Sequence, residues 1–169
     1  MPLIYGEGHK AFLRLQDAIA QQVNDLTLFA WTTSSDDSAV QRCHGMFAQS
    51  PRNFKSCKDT VPILDPLVNE HHSFKTTNRG LKFRAVLKED LDDGGYLMNL
   101  FCYSKGIVLA EGRPGILAIR LVRTLNGFIR QRPETLVIVS ESFRHSILSG
   151  QLVSLSVPKH IDTRESRQL

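Results

Sequence analysis

The stretch Gly80-Leu81-Lys82-Phe83-Arg84-Ala85-Val86-Leu87-Lys88 decides the fold. Leu81, Phe83, Ala85 and Leu87 alternate with Lys82, Arg84, Val86 and Lys88. A period of two puts one set on a buried face and the other in water, the pattern of a half-buried β-strand. Residues 89–95 follow as an acidic turn and residues 96–103 as a second strand, so the pair reads as a hairpin with a loop longer than two residues. Residues 115–123, 127–130, 134–140 and 151–157 are further strand candidates.

Upstream, the period changes to that of a helix. Over Gly8–Gln22 the apolar residues Ala11, Phe12, Leu15 and Ile19, with Val23 beyond, recur at three- and four-residue steps, and Lys10, Arg14, Asp17 and Gln21 fall opposite. Asn24-Asp25 ends the pattern, and the apolar run 26–31 suits a buried strand. Residues 32–38 are polar and read as a loop. Ser50-Pro51 has the order of an N-cap followed by the first residue of a helical turn. Residues 57–72, interrupted by Pro62 and Pro66, read as an extended connection. The expected architecture is α+β: an N-terminal amphipathic helix packed on a mostly antiparallel sheet or barrel of about six or seven strands. The segments divide as 1–32 (helix plus strand), 33–72 (loop-rich connection), 73–158 (β-rich domain) and 159–169 (frayed tail).

Composition agrees with one globular unit. The chain has 169 residues, 41% of them hydrophobic and 22% charged, which excludes collagen-like and disordered classes. No run of 18 apolar residues offers a membrane-spanning helix. Cys43, Cys57 and Cys102 are too few and too far apart for a zinc or redox C-x-x-C pair, and the N-terminus lacks the pattern of a signal peptide. A cytoplasmic protein with free thiols is the expectation. The net charge of +4 is uneven: residues 1–112 sum to −1 and residues 113–169 to +5. Arg120, Arg123, Arg130 and Arg132 form the candidate basic patch, and nucleic acid or anionic lipid its candidate partner.

Five segments carry residues that bear on chemistry or binding. Tyr5-Gly6-Glu7-Gly8 leads into the helix and lacks both the G-x-G-x-x-G and the P-loop spacing, so its glycines read as a tight turn and Glu7 as a partner for the positive helix end. Ser140, Glu141, Ser142 and His145 lie close together without a nucleophile elbow, and no catalytic residue is assigned. His71 and His72 are adjacent and, on a strand, face opposite ways, so no metal site and no cofactor is expected. Asp90, Asp92 and Asp93 lack calcium-loop spacing and read as a solvated turn. Thr77, Asn78 and Arg79, ahead of Gly80, form the candidate partner-contact turn, with Arg79 as anchor.

The order of short motifs resembles the fungal heterokaryon-incompatibility (HET) domain proteins. Met1-Pro2-Leu3-Ile4-Tyr5-Gly6-Glu7-Gly8, followed by Ala11-Phe12-Leu13-Arg14-Leu15-Gln16, is similar to their "MPLLYGEG-x-KAF-x-RLQ". Leu28-Phe29-Ala30-Trp31 resembles "IFAW", residues 45–48 with Ser50-Pro51 and Phe54 resemble "GLLA-x-SP-x-x-F", and Thr77-Asn78-Arg79-Gly80-Leu81 resembles "TN-[RK]-GL". Residues 96–102 resemble "YLALLNC". Met46-Phe47 stands where Leu-Leu is usual, and Phe101 where Asn is frequent.

The resemblance implies the portion that follows the HET core, because the core motifs of the type "WID-x-x-CINQ" are missing. Nucleotide chemistry would belong to that core and is not carried over. The implied function is a non-enzymatic regulatory or interaction module in self/non-self recognition and cell death. Its partner would be a protein, the upstream core or a second copy of the chain. The alternatives are a fragment completing a nucleotide- or NAD-hydrolysing site, through Glu7 or Arg14, and a basic nucleic-acid- or anionic-lipid-binding domain. If a companion segment normally covers the helix, the chain alone should expose Phe12, Leu15 or Ile19, or oligomerise through them.

Overall fold

In the computed structural model, residues 8–34, 43–64, 72–91, 93–140 and 152–161 are described. The helix α1 spans Gly8–Gln22 as the periodicity predicts. The run that follows is a short 3₁₀ helix, Leu26–Phe29, rather than a strand. The Asp25 side chain accepts from the Thr27 backbone N–H (2.9 Å) and starts the turn. An apolar run of this length has no period that separates strand from buried helix, so a cap decides. The second 3₁₀ helix, Pro51–Cys57, carries the expected Ser50 cap, and the Asn53 side chain completes a reciprocal box with the Ser50 backbone.

The described residues form nine strands: β1 (Cys43–His44), β2 (Thr60–Pro62), β3 (Ser73–Thr77), β4 (Gly80–Asp90), β5 (Gly95–Val108), β6 (Pro114–Thr124), β7 (Gly127–Gln131), β8 (Val137–Val139) and β9 (Leu152–Val157). They run in the order β1-β7-β6-β5-β4-β3, with β2 added to β5, β8 to β6 and β9 to β4, and every pairing is antiparallel. The sheet is open: among the described residues its terminal strands β1 and β3 do not pair, so the barrel expectation is set aside. The strand count exceeds six or seven because β1 and β2 are too short to carry a period and because β3, next to the proline-interrupted connection, is an additional strand that the sequence reading did not separate. The hairpin β4–β5 is also tighter than expected, since Asp90 and Gly95 pair and a bond from Gly94 N–H to Asp90 C=O (2.8 Å) closes the loop.

β4 belongs to two layers. Its first half, Leu81 to Val86, pairs with β9, while its last residues, Leu87 to Asp90, pair with β5. Leu81, Phe83 and Ala85 join the main core, and Val86 joins a second one with Leu97, Phe101, Ile116 and Ala118. β6 is covered on both faces, with Leu117 and Ile119 in the main core and Ile116 and Ala118 in the second. That is why its sequence reads as a continuous apolar run instead of alternating. Phe29, Phe74 and Phe83 pack edge-on or tilted at 5.1 to 5.6 Å at the centre.

Helix α1 is rotated from its expected orientation. Gln16 and Ala20 are its buried residues, with Leu13 packed beside them. Leu15 (55%), Ile19 (39%) and Val23 (51%) are exposed, and Phe12 is half-buried. Gln16 fixes this face. Its amide donates to the Ala48 carbonyl (2.8 Å) and accepts from the Ala48 N–H (2.9 Å). Two bonds satisfied in the interior outweigh the gain from burying one more aliphatic side chain. Trp31, fully buried, donates to the Met46 carbonyl (2.8 Å) and holds the same segment.

Candidate functional site

The predicted partner-contact turn and one further turn frame a cleft. Thr77 and Gly80 are paired across a two-residue hairpin turn of Asn78 and Arg79. Thr124 and Gly127 are paired in the same way across Leu125 and Asn126. In both, the threonine hydroxyl donates to the glycine carbonyl, at 2.9 and 3.1 Å. In the first, that hydroxyl also accepts from the Arg79 N–H (3.3 Å). Gly80 and Gly127 both have positive φ, 142° and 130°. Asn78 does not, so glycine alone supplies that conformation.

Both glycines also touch β9. A Cβ on Gly80 would collide with the Val157 carbonyl oxygen, and one on Gly127 with that of Ser156. Consecutive carbonyls of a strand point to opposite edges, so the two turns grip the end of β9 from both sides. Between them lies a cleft of about 390 Å³, within the range of small-ligand and peptide pockets. Arg79, Asn126 and Thr124 line its rim, and Phe128, Ile129, Val157 and Ile161 supply apolar surface. Arg79 is the one charged residue among the described lining residues. Leu125, at the tip of the second turn, is fully exposed.

Ile161 is buried and the Lys159 carbonyl accepts from the Phe47 N–H (2.8 Å). The start of the predicted frayed tail is therefore part of the cleft wall.

The four arginines of the predicted basic patch are not brought together as one open surface. Arg120 pairs with Asp90 (3.0 Å) and Asp93 (3.1 Å), and Arg132 pairs with Asp93 (2.9 Å). The turn expected to be solvated is thus an ion-pair network in which Asp90 is buried. Arg123 is exposed. Arg130 is buried, stacked 3.9 Å from the Trp31 ring centroid, and donates to the carbonyls of Phe29 (2.9 Å) and Trp31. Burial lowers its pKa. Arg130 therefore acts as a pin between β7 and the first 3₁₀ helix.

Of the remaining candidates, Tyr5, Gly6 and Glu7 lie outside the described residues, as do His71, Asp92 and the segment 141–146. Gly8 opens α1 and is exposed. His72 is buried, its ring 4.3 Å from that of Phe101. Phe101 has φ 49°, at a register shift of β5, where its N–H donates to Asn99 Oδ1 (2.6 Å). These two residues, with Asp25, Leu26 and Ile63, line a smaller cleft of about 240 Å³.

The thiols are free, and burial pushes Cys57 up and Cys102 up to about 12. Among the described residues no group of three or more His, Cys, Asp or Glu is placed to hold a metal ion, and no helix is long and apolar enough to cross a membrane.

Leu125 and Asn126 are not among the residues that the sequence reading singles out, although a signal exists. Thr77-Asn78-Arg79-Gly80 and Thr124-Leu125-Asn126-Gly127 are two copies of Thr-x-x-Gly. The chain matches no family model, no curated protein and no solved structure.

Proposed function

We propose that the chain is a non-enzymatic interaction module that docks a protein partner in the cleft between its two Thr-x-x-Gly turns. The observation that carries this reading is the cleft itself. Its walls are fixed by two glycines pressed on β9, it is lined by the exposed Arg79 cation, and much of its surface is apolar. Preformed apolar surface beside one unopposed guanidinium suits a peptide that sets a carboxylate next to a large apolar side chain.

The wider role is that of a cytoplasmic HET-type protein in fungal self/non-self recognition and cell death, supported by the sequence motifs from Met1 to Cys102. The uncovered stripe Leu15, Ile19 and Val23 suits the same reading, as the place where an upstream core or a second copy would pack.

Selection of a displayed random-peptide library against the full chain tests the docking part. Sequences pairing Asp or Glu with Leu, Phe or Trp should be enriched, lost with Arg79→Glu and partly kept with Arg79→Lys. Enrichment that survives Arg79→Glu contradicts the cleft as the site. Turnover of NAD or ATP that Glu7→Gln abolishes would overturn the non-enzymatic reading.

A further inference from the structure

The three-stranded layer β3–β4–β9 carries an outward face that the charge distribution along the sequence conceals. Lys75 and Lys82 are direct cross-strand partners, and Lys82 is also paired with Ser156. In the next outward row Arg84 lies between Ser73 and Ser154. Directly opposed residues of an antiparallel ladder share a face. Lys75, Lys82, Arg84, Ser154 and Ser156 are all exposed. None of the outward residues of these rows is acidic, and among the described residues none of the three cations has an ion-pair partner.

Like charges placed directly opposite each other destabilise a sheet. Arg84 is diagonal to Lys75, so three cations stand within reach of one another. An opposing charge from outside the chain relieves this repulsion, and flanking serine hydroxyls are the donors commonly found on phosphate oxygens.

We infer that this face binds nucleic acid through its phosphates. The two rows contain no apolar side chain that could enter a lipid headgroup layer, which argues against a membrane as the occupant. They contain no aromatic ring on which a base would stack, so binding rests on charge and is indifferent to sequence. Lys75, Lys82 and Arg84 are absent from the cleft lining, which this face meets only at Ser156, so the three cations and Arg79 test the two proposals separately.

Fluorescence anisotropy of labelled oligouridylate and mixed-sequence RNA of about 20 nucleotides, titrated with the full chain, reads the interaction. Three neutralised phosphates predict an affinity that falls about twentyfold between about 50 and 200 mM salt. The combined variant Lys75→Ala, Lys82→Ala, Arg84→Ala should abolish binding, and Lys55→Ala should leave it unchanged. Lys82→Glu should weaken binding at least tenfold while raising Tm, because it places opposite charges across from Lys75; that rise shows the variant is folded. Binding that is independent of salt, binding unchanged in the triple variant, or preference for phosphatidylserine vesicles over RNA would each overturn the inference.

Discussion

Gly80 and Gly127 press on successive carbonyl groups of one strand, Val157 and Ser156 of β9, from its two edges. The turns that carry them come from distant parts of the chain, yet they share the Thr-x-x-Gly sequence, the threonine-to-glycine-carbonyl bond and the positive φ. Glycine meets both demands at each position, since an added Cβ is excluded by strain and by space together.

Gly80→Ala and Gly127→Ala should therefore each lower stability by at least about 1 kcal/mol. Because both bear on the same two residues of β9, the double variant should depart from additivity. Urea unfolding of the four proteins measures both effects. A neutral Gly127→Ala would mean that the turn is free to move off the strand.

Gln16 and Leu15 are neighbours on α1 with opposite environments. Gln16→Ala leaves the N–H and C=O of Ala48 without partners in the interior and should cost about 1–3 kcal/mol. Leu15→Gln should change stability by no more than about 0.5 kcal/mol, and should reduce any self-association seen by light scattering. The reverse order would place the helix in its originally expected rotation.

Arg130 donates to two carbonyls in the interior, those of Phe29 and Trp31. Arg130→Ala should cost on the order of 3 kcal/mol, from two lost buried hydrogen bonds and the lost Trp31 stack. Arg130→Lys should rescue little, because a single ammonium lacks the planar fork that reaches both carbonyls. Thermal unfolding and Trp31 fluorescence report the loss directly.

Cys102 gives a pH test. Its thiol has a pKa near 9 when free and about 12 in the fold, raised first by burial and then by Asp25 and Cys57. Above pH 9 the unfolded chain releases the proton and the folded chain keeps it, so the folded state binds more protons and stability falls as pH rises. The contribution is complete below about pH 9 and is lost by about pH 12. Measured against Cys102→Ala, the stability advantage of the wild type should shrink across that window and stay flat below it.

How much was legible depended on whether one face of an element met water. α1 and β4 show clean periods, and their spans were close to those observed. The run 26–31 was legible as buried but not as 3₁₀, because the Asp25 cap rather than a period decides it. The rotation of α1 was hidden because Gln16, polar by type, is buried by bonds to Ala48, which is 32 residues away. The late arginines read as a patch because sequence counts charge without its partners. Arg120 and Arg132 are neutralised by the turn at Asp90 and Asp93, and Arg130 lies under Trp31. The cation face was missed for the opposite reason, since Lys75, Lys82 and Arg84 sit in the stretch whose net charge is −1. The turn that carries Arg79 is legible in the sequence, and the turn that faces it across the cleft is not, because only the sheet order brings Thr124 to Gly127 beside it.

The docking site is tested most directly by amide chemical-shift mapping of the full chain with a peptide recovered from library selection. The account predicts shifts confined to Arg79, Asn126, Phe128, Ser156 and Ile161, abolished by Arg79→Glu. Shifts centred on Leu15, Ile19 and Val23, or on the cleft at His72 and Phe101, with Arg79 and Asn126 unmoved, would contradict it.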